Sequence, residues 1–206
     1  MTWKSLPQWV LDDAGIETMG GTTEIPYFAE SGVLHNTRVI NYWGKQYWAE
    51  TGRGLIPYGL QWLASLEDAA TRSLFLAEGE SDALALRALR GGMDVLGLPG
   101  ASTFRPEFLR YAGRYARVYV CGDGDVAGQK LNRVVKDAWP DVRIVELPEG
   151  EDVRKLLQSP DGVDWFWRWV ARADLNADLY RLRFVEGRPW AEVAGLVRDH
   201  PGLVEV

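Results

Sequence analysis

Acidic side chains gather in three short, glycine-bracketed segments of this 206-residue chain. Glu78 is followed by Gly79 and, a turn later, by Asp82. Asp123 and Asp125 lie in Gly122-Asp123-Gly124-Asp125, and Glu151 and Asp152 close Pro148-Glu149-Gly150-Glu151-Asp152. Several carboxylates sharing one pocket repel one another unless a divalent cation neutralises them. Oxygen ligands with no histidine among them suit hard ions, Mg²⁺ or Mn²⁺. Gly79, Gly122, Gly124 and Gly128 would let the backbone turn sharply and a phosphate approach closely. These residue types point to metal-dependent phosphoryl transfer. A lone acid after a strand is commonly only a helix N-cap, and Asp125 before Val126-Ala127-Gly128 fits that role by itself. Three such loops on successive units argue for a site.

The elements that must position these acids are legible as strand–loop–helix units. Apolar runs at 74–77, 94–98, 117–121 and 141–147 alternate with predicted helices at 80–89, 106–115, 127–138 and 152–158. That alternation predicts a parallel sheet covered by helices on both faces. Ligands bind such sheets outside the carboxyl ends of the strands, where three of the four runs deliver their acids. Neighbouring strands lie about 4.8 Å apart, so loops leaving adjacent strands can bring the carboxylates together.

Upstream, residues 7–19 predict a short helix running into a Gly20-Gly21 break. Short antiparallel strands are expected at 24–29, 37–42 and 45–48, separated by turn residues, and a helix begins within 58–66. Beyond residue 160 the chain reads as helical. The expected division is a β-rich subdomain over 1–70, an α/β domain over 71–160 and a helical tail over 161–206.

Composition removes several function classes. One cysteine, Cys121, excludes an internal disulfide framework and a cysteine-built zinc site within these residues. Two histidines leave little room for histidine-based metal catalysis. No run approaches the roughly 18 apolar residues of a membrane span, and the start lacks a secretory pattern. A cytoplasmic protein is expected. Net charge is −6, with residues 71–160 balanced at thirteen basic and thirteen acidic side chains. Setting aside Glu78, Asp82, Asp123, Asp125 and Asp152 leaves that segment at +5, a mildly basic surround for a phosphate-bearing substrate. Arg110, Arg114 and Arg117 recur at i, i+4 and i+7 and would stripe one helix face, read as a solvated face. Trp165, Trp167 and Trp169, with Phe166, read as core packing or a partner surface, and Cys121 as buried and inert.

Four quoted segments carry a family resemblance. Glu78-Gly79-Glu80-Ser81-Asp82-Ala83-Leu84, Gly97-Leu98-Pro99-Gly100-Ala101, Asp123-Gly124-Asp125-Val126-Ala127-Gly128 and Leu147-Pro148-Glu149-Gly150-Glu151-Asp152 together resemble a Toprim domain. The D-x-D-x-A-G form and the following L-P-x-G-x-D are those of the primase branch, the polymerase cores of bacterial DnaG-type primases and phage primase-helicases. Topoisomerases and recombination mediators share only the glutamate and the D-x-D. The resemblance covers residues 72–158 and extends more loosely over 24–66.

The resemblance implies a Toprim fold and assigns roles. Glu78, Asp123 and Asp125 would be catalytic, with Glu78 a metal ligand and proton acceptor for the primer 3′-hydroxyl. Glu78, Asp82, Asp123, Asp125 and Asp152 would hold Mg²⁺, with Mn²⁺ an alternative. Lys45, Arg53, Gly124 and Lys130 would meet nucleotide or template. The family carries a second acid after the last one, where this chain has Val153 and Arg154. A zinc ribbon and a P-loop motor are lacking in these residues. The implied function is RNA-primer synthesis on single-stranded DNA from nucleoside triphosphates, in a phage or mobile-element setting. A separate helicase and a zinc-binding template-recognition module would act in trans. The alternatives are a Toprim nuclease and a non-catalytic module that binds nucleic acid or a replication protein.

Overall fold

In the computed structural model, which describes residues 3–199, two four-stranded sheets share one core. Helix α1 (Gln8–Asp13) leads into strands β1 (Glu17–Met19), β2 (Thr22–Phe28), β3 (Leu34–Ile40) and β4 (Gln46–Trp48). These form an antiparallel sheet in the order β1-β2-β3-β4. The predicted helix over 7–19 therefore stops at Asp13, and residues 17–19 are a strand instead. The reason lies in Gly20 and Gly21, with φ of 59° and 79°. Two consecutive left-handed residues make the tight hairpin turn that brings Glu17–Met19 onto β2.

No helix spans 58–66. Tyr58 instead exchanges two 2.9 Å backbone hydrogen bonds with Gly97, extending the parallel sheet by an antiparallel bridge. A single 3₁₀ turn, Leu60–Trp62, follows, then the one-turn helix α2 (Leu66–Ala69) capped by Ser65. The second sheet comes next: β5 (Ser73–Glu78), α3 (Gly79–Ala88), β6 (Met93–Leu98), β7 (Arg117–Cys121), α4 (Val126–Ala138) and β8 (Arg143–Ile144). All pairings are parallel, in the order β6-β5-β7-β8. The fourth strand is shorter than the apolar run 141–147, for it is an edge strand closed in by Pro140 and Pro148. Between β6 and β7 the expected helix is a 3₁₀ segment, Pro106–Arg114. Its three-residue turn and the placement of Arg117 on β7 dissolve the predicted arginine stripe: Arg114 pairs with Glu30 and Arg117 with Asp174.

Strands buried on both faces read as unbroken apolar runs, and β5 shows how the faces divide. Leu74 and Leu76 join Leu96, Leu98, Val118 and Val120 under α4 and the 3₁₀ segment. Phe75 and Ala77 face the other way, toward Tyr119, Cys121, α1, the inner face of the antiparallel sheet, α5 (Val153–Gln158) and α6 (Gly162–Tyr180). Phe166 of α6 is fully buried there, while Trp165 and Trp167 beside it stay about 40% exposed. A π-turn (Arg181–Val185) and α7 (Trp190–Asp199) complete the helical tail. No helix among the described residues is long and apolar enough to cross a membrane.

Candidate active site

The register of the parallel sheet sets the acids side by side. Ala77 of central β5 is level with Cys121 of β7, so Glu78 and Gly122 leave the sheet together and Asp123 is one residue further on. Glu78 is the last residue of β5 and leads directly into α3, with the Gly100 loop of neighbouring β6 on its other flank. Asp125 caps α4 by accepting from the Gly128 N–H at 2.8 Å, and Asp152 caps α5 by accepting from the Lys155 N–H at 2.7 Å. Asp125 is thus an N-cap, with Oδ1 spent on the helix and Oδ2 outside that bond.

Two loops are bound to each other at the centre of the site. The Gly124 N–H donates to the Glu151 carbonyl at 2.7 Å, and the Gly150 N–H donates to the Gly124 carbonyl at 2.9 Å. A β-carbon on Gly124 would lie 1.7 Å from the Pro148 carbonyl oxygen, and one on Gly128 would lie 2.0 Å from that of Asp123. The glycines of this segment are needed because backbone packs on backbone. Gly124, expected to meet a phosphate, has both its polar backbone groups occupied in holding the Asp123 and Asp152 loops together.

Electrostatics show how closely the carboxylates crowd. Burial pushes the Asp123 carboxyl up to about 7, with further lift from Asp82, Glu78, Asp152 and Asp125. Burial raises Glu78 as well; the Asp123 backbone amide lowers it and Asp125 raises it. Asp82, 5% exposed beneath the loops, is pushed up to about 6 by burial, although it accepts the Arg154 N–H at 2.9 Å. Glu78 Oε2 and Asp123 Oδ1 are buried with no hydrogen-bond partner. Orphaned carboxylate oxygens at the carboxyl end of a parallel sheet fit a hard divalent cation. Among the described residues no three acidic side chains yet stand close enough to enclose an ion by themselves. The five predicted ligands therefore form a loose group, in which Glu78 Oε2 and Asp123 Oδ1 are the buried oxygens without a partner.

The predicted basic residues lie elsewhere. Arg53 pairs with Glu50 at 2.6 Å and donates to the His35 carbonyl, both close to it in the chain. Lys45 is exposed at the β3–β4 turn and Lys130 on the outer face of α4. Two cations stand next to the acids: Arg154, 15% exposed and 3.3 Å from Asp152, and Lys155, 54% exposed and 3.5 Å from the same carboxylate. Sequence reasoning also missed Glu80. It is 7% exposed and receives hydrogen bonds from Tyr27 Oη at 2.5 Å and Arg38 Nη1 at 2.6 Å. This knot ties the antiparallel sheet to the first turn of α3, two residues from Glu78. Its only trace in the sequence is a second glutamate in Glu78-Gly79-Glu80, since its partners lie 42 and 53 residues away.

Comparison with known proteins agrees with this fold. Residues 75–157 match the model of a family described as Toprim-like. The Gene 57 protein of Mycobacterium phage D29 is 35% identical over 89 residues, which cover 43% of this chain and 57% of the phage protein. The fold is similar to the primase fragment of the bacteriophage T7 primase-helicase protein (TM-score 0.63, 16% identity, 82% of this chain and 71% of that one). It is likewise similar to a DnaG primase catalytic domain bound to single-stranded DNA (0.59, 22%, 84% and 62%). The RNA polymerase domain of Mycobacterium tuberculosis primase DnaG is a third such structure (0.57, 18%, 98% and 76%).

Proposed function

We propose that this chain, whose residues 75–157 form a Toprim-like domain within a primase-like fold, is a primase-type nucleotidyltransferase. It joins nucleoside triphosphates into short RNA primers on single-stranded DNA. The observation that carries the reading is the pair of buried, unpartnered oxygens, Glu78 Oε2 and Asp123 Oδ1, at the carboxyl end of the parallel sheet. Glu78, Asp123 and Asp125 would face the metal, with Asp152 and Asp82 behind them. Mg²⁺ or Mn²⁺ held there supplies positive charge against the charge that develops on the transferred phosphoryl group.

The chain's own residues then have separable tasks. Glu78, whose carboxyl is raised by burial, accepts the proton of the primer 3′-hydroxyl as that oxygen bonds to the α-phosphorus and pyrophosphate departs. The paired Gly124 and Gly150 backbones hold Asp123 and Asp152 at fixed separation. Arg154 and Lys155 offer positive charge beside Asp152 for the triphosphate. Lys45, Arg53 and Lys130, which lie apart from the acids, are proposed to meet template or nucleotide. Unwinding and start-site choice are assigned to a separate helicase and a zinc-binding module, in the cytoplasm of a bacterium or phage-infected cell.

The test uses purified protein, single-stranded DNA, labelled nucleotides and Mg²⁺ or Mn²⁺, with Asp123→Asn as control. Primers made by the wild type and lost in the variant support the reading. Metal-dependent cutting without synthesis would replace it with a nuclease. DNA binding with neither activity would leave a non-catalytic module.

A further inference from the structure

The acids divide by what their oxygens already hold. Glu78 Oε2 and Asp123 Oδ1 are buried with no partner. Asp82 and Asp152, by contrast, have a donor on every oxygen. Asp82 accepts from the Arg154 N–H on Oδ1 at 2.9 Å and from the Ser81 hydroxyl on Oδ2 at 3.2 Å. Asp152 accepts from the Lys155 N–H on Oδ1 at 2.7 Å, and its Oδ2 meets Arg154 Nη2 at 3.3 Å and Lys155 Nζ at 3.5 Å. Both backbone donors belong to the first turn of α5, where no helical carbonyl is available to them. The electrostatics divide in the same way. Asp125 raises the Glu78 carboxyl and Asp152 raises the Asp82 carboxyl, while Asp123 is raised by all four.

Arg154 is a braced cation rather than a loose surface charge. Its side chain is 15% exposed. Nη1 donates to Gln158 Oε1 at 3.3 Å, and Gln158 Nε2 donates in turn to the Lys4 and Ser5 carbonyls at 2.9 and 3.3 Å. A guanidinium also stays charged at any working pH.

We infer that Arg154 is a built-in cation for Asp82 and Asp152, so that without nucleotide the chain holds a single divalent ion, on Glu78, Asp123 and Asp125. This deepens the metal-dependent reading above, on which it rests for the ion, and narrows the ligand set from five acids to three. Asp82 and Asp152 become positioning residues that hold Arg154 in place. A second ion on Asp152 would have to displace Arg154 and Lys155 from the oxygen they share. The three remaining acids have oxygens to give: Glu78 Oε2, Asp123 Oδ1 and, outside its helix cap, Asp125 Oδ2.

The experiment counts Mn²⁺ from the electron paramagnetic resonance signal of the free ion, using the full chain without DNA or nucleotide. It is run at pH 8, above the raised value of Asp123. The wild type should take up one ion per chain. Glu78→Gln and Asp123→Asn should each weaken uptake by more than about 100-fold, beyond the cost of an outer-shell residue. Asp152→Asn should keep the ion with at most about a tenfold loss of affinity. Arg154→Asp leaves the backbone amide on Asp82 and trades the guanidinium for a carboxylate, so it should take up a second ion. Two ions in the wild type, or none, overturn the inference. So does loss of the ion in Asp152→Asn, or a count of one in Arg154→Asp whose circular dichroism is native. Should Arg154→Asp fail to fold, the wild-type and Asp152→Asn counts decide alone. Primer synthesis is scored separately. Two ions in a wild type that makes primers remove the inference and keep the polymerase; one ion in a wild type that makes none does the reverse.

Discussion

Replacing Asp82 by asparagine should stabilise the metal-free protein, and more so as pH rises. The side chain is 5% exposed, and burial lifts its carboxyl from an ordinary value to about 6. A carboxyl with a raised pKa is easier to protonate in the folded chain than in the unfolded one. Its contribution to stability is therefore fully present below the unfolded value near 3.9 and is lost as pH climbs through 6. Two units correspond to roughly 3 kcal/mol, about half of which falls between pH 5 and pH 8. Asparagine keeps an oxygen for the Arg154 N–H and carries no charge, so the penalty disappears. Urea unfolding in EDTA at pH 5 and pH 8 reads the difference: the advantage of Asp82→Asn should grow by about 1.4 kcal/mol between them. Equal destabilisation at both pH values would mean that the carboxylate is a net support of the fold, and the crowding account of this site would be wrong.

Three other outcomes follow from the same geometry. Saturating Mg²⁺, at about 100 times its dissociation constant, should stabilise the wild type by about 2.7 kcal/mol, roughly 5–10 °C in melting temperature. The shift should shrink from pH 8 to pH 5, because protons on Asp123 and Glu78 compete with the ion; a pH-independent shift would contradict this. Gly124→Ala would force a β-carbon to within 1.7 Å of the Pro148 carbonyl oxygen. The two acidic loops must then separate, so synthesis should fall at least 100-fold while far-ultraviolet circular dichroism stays native. Arg38→Met leaves Glu80 buried with Tyr27 alone and should cost about 3 kcal/mol in chemical denaturation, the low end for a broken buried pair because Arg38 is 29% exposed.

The sequence displayed the parallel sheet because its strands are apolar on both faces and end in glycine and acid. Leu74, Phe75, Leu76 and Ala77 in a row allow little but a buried strand before Glu78. Where burial is one-sided the signal fades. Glu17, Thr18 and Met19 are exposed and become a strand only by pairing across Gly20-Gly21. Residues 58–66 contain helix-compatible apolar spacing, yet Tyr58 finds its partners at Gly97, a contact no local pattern encodes. That Glu78, Asp123, Asp125, Asp82 and Asp152 crowd together was legible by type and spacing. The Tyr27–Glu80–Arg38 knot was not, since it is a matter of three-dimensional proximity between residues 42 and 53 positions apart from Glu80 in the chain. Nor does sequence reveal that Gly124 serves its neighbour's backbone.

The face of the parallel sheet bearing Phe75 and Tyr119 is sealed by pieces from both ends of the described chain, α1 before it and Phe166, Val170 and Ala173 of α6 after it. During synthesis on the ribosome, that face stays open until the last of these helices has emerged from the exit tunnel. An excised fragment restricted to 75–157 would carry every acid of the candidate site, yet it would leave Phe75, Ala77, Tyr119 and Cys121 bare and prone to clump. The stretch that evolution copies from protein to protein and the unit that can stand alone in water are, in this molecule, two different lengths of chain.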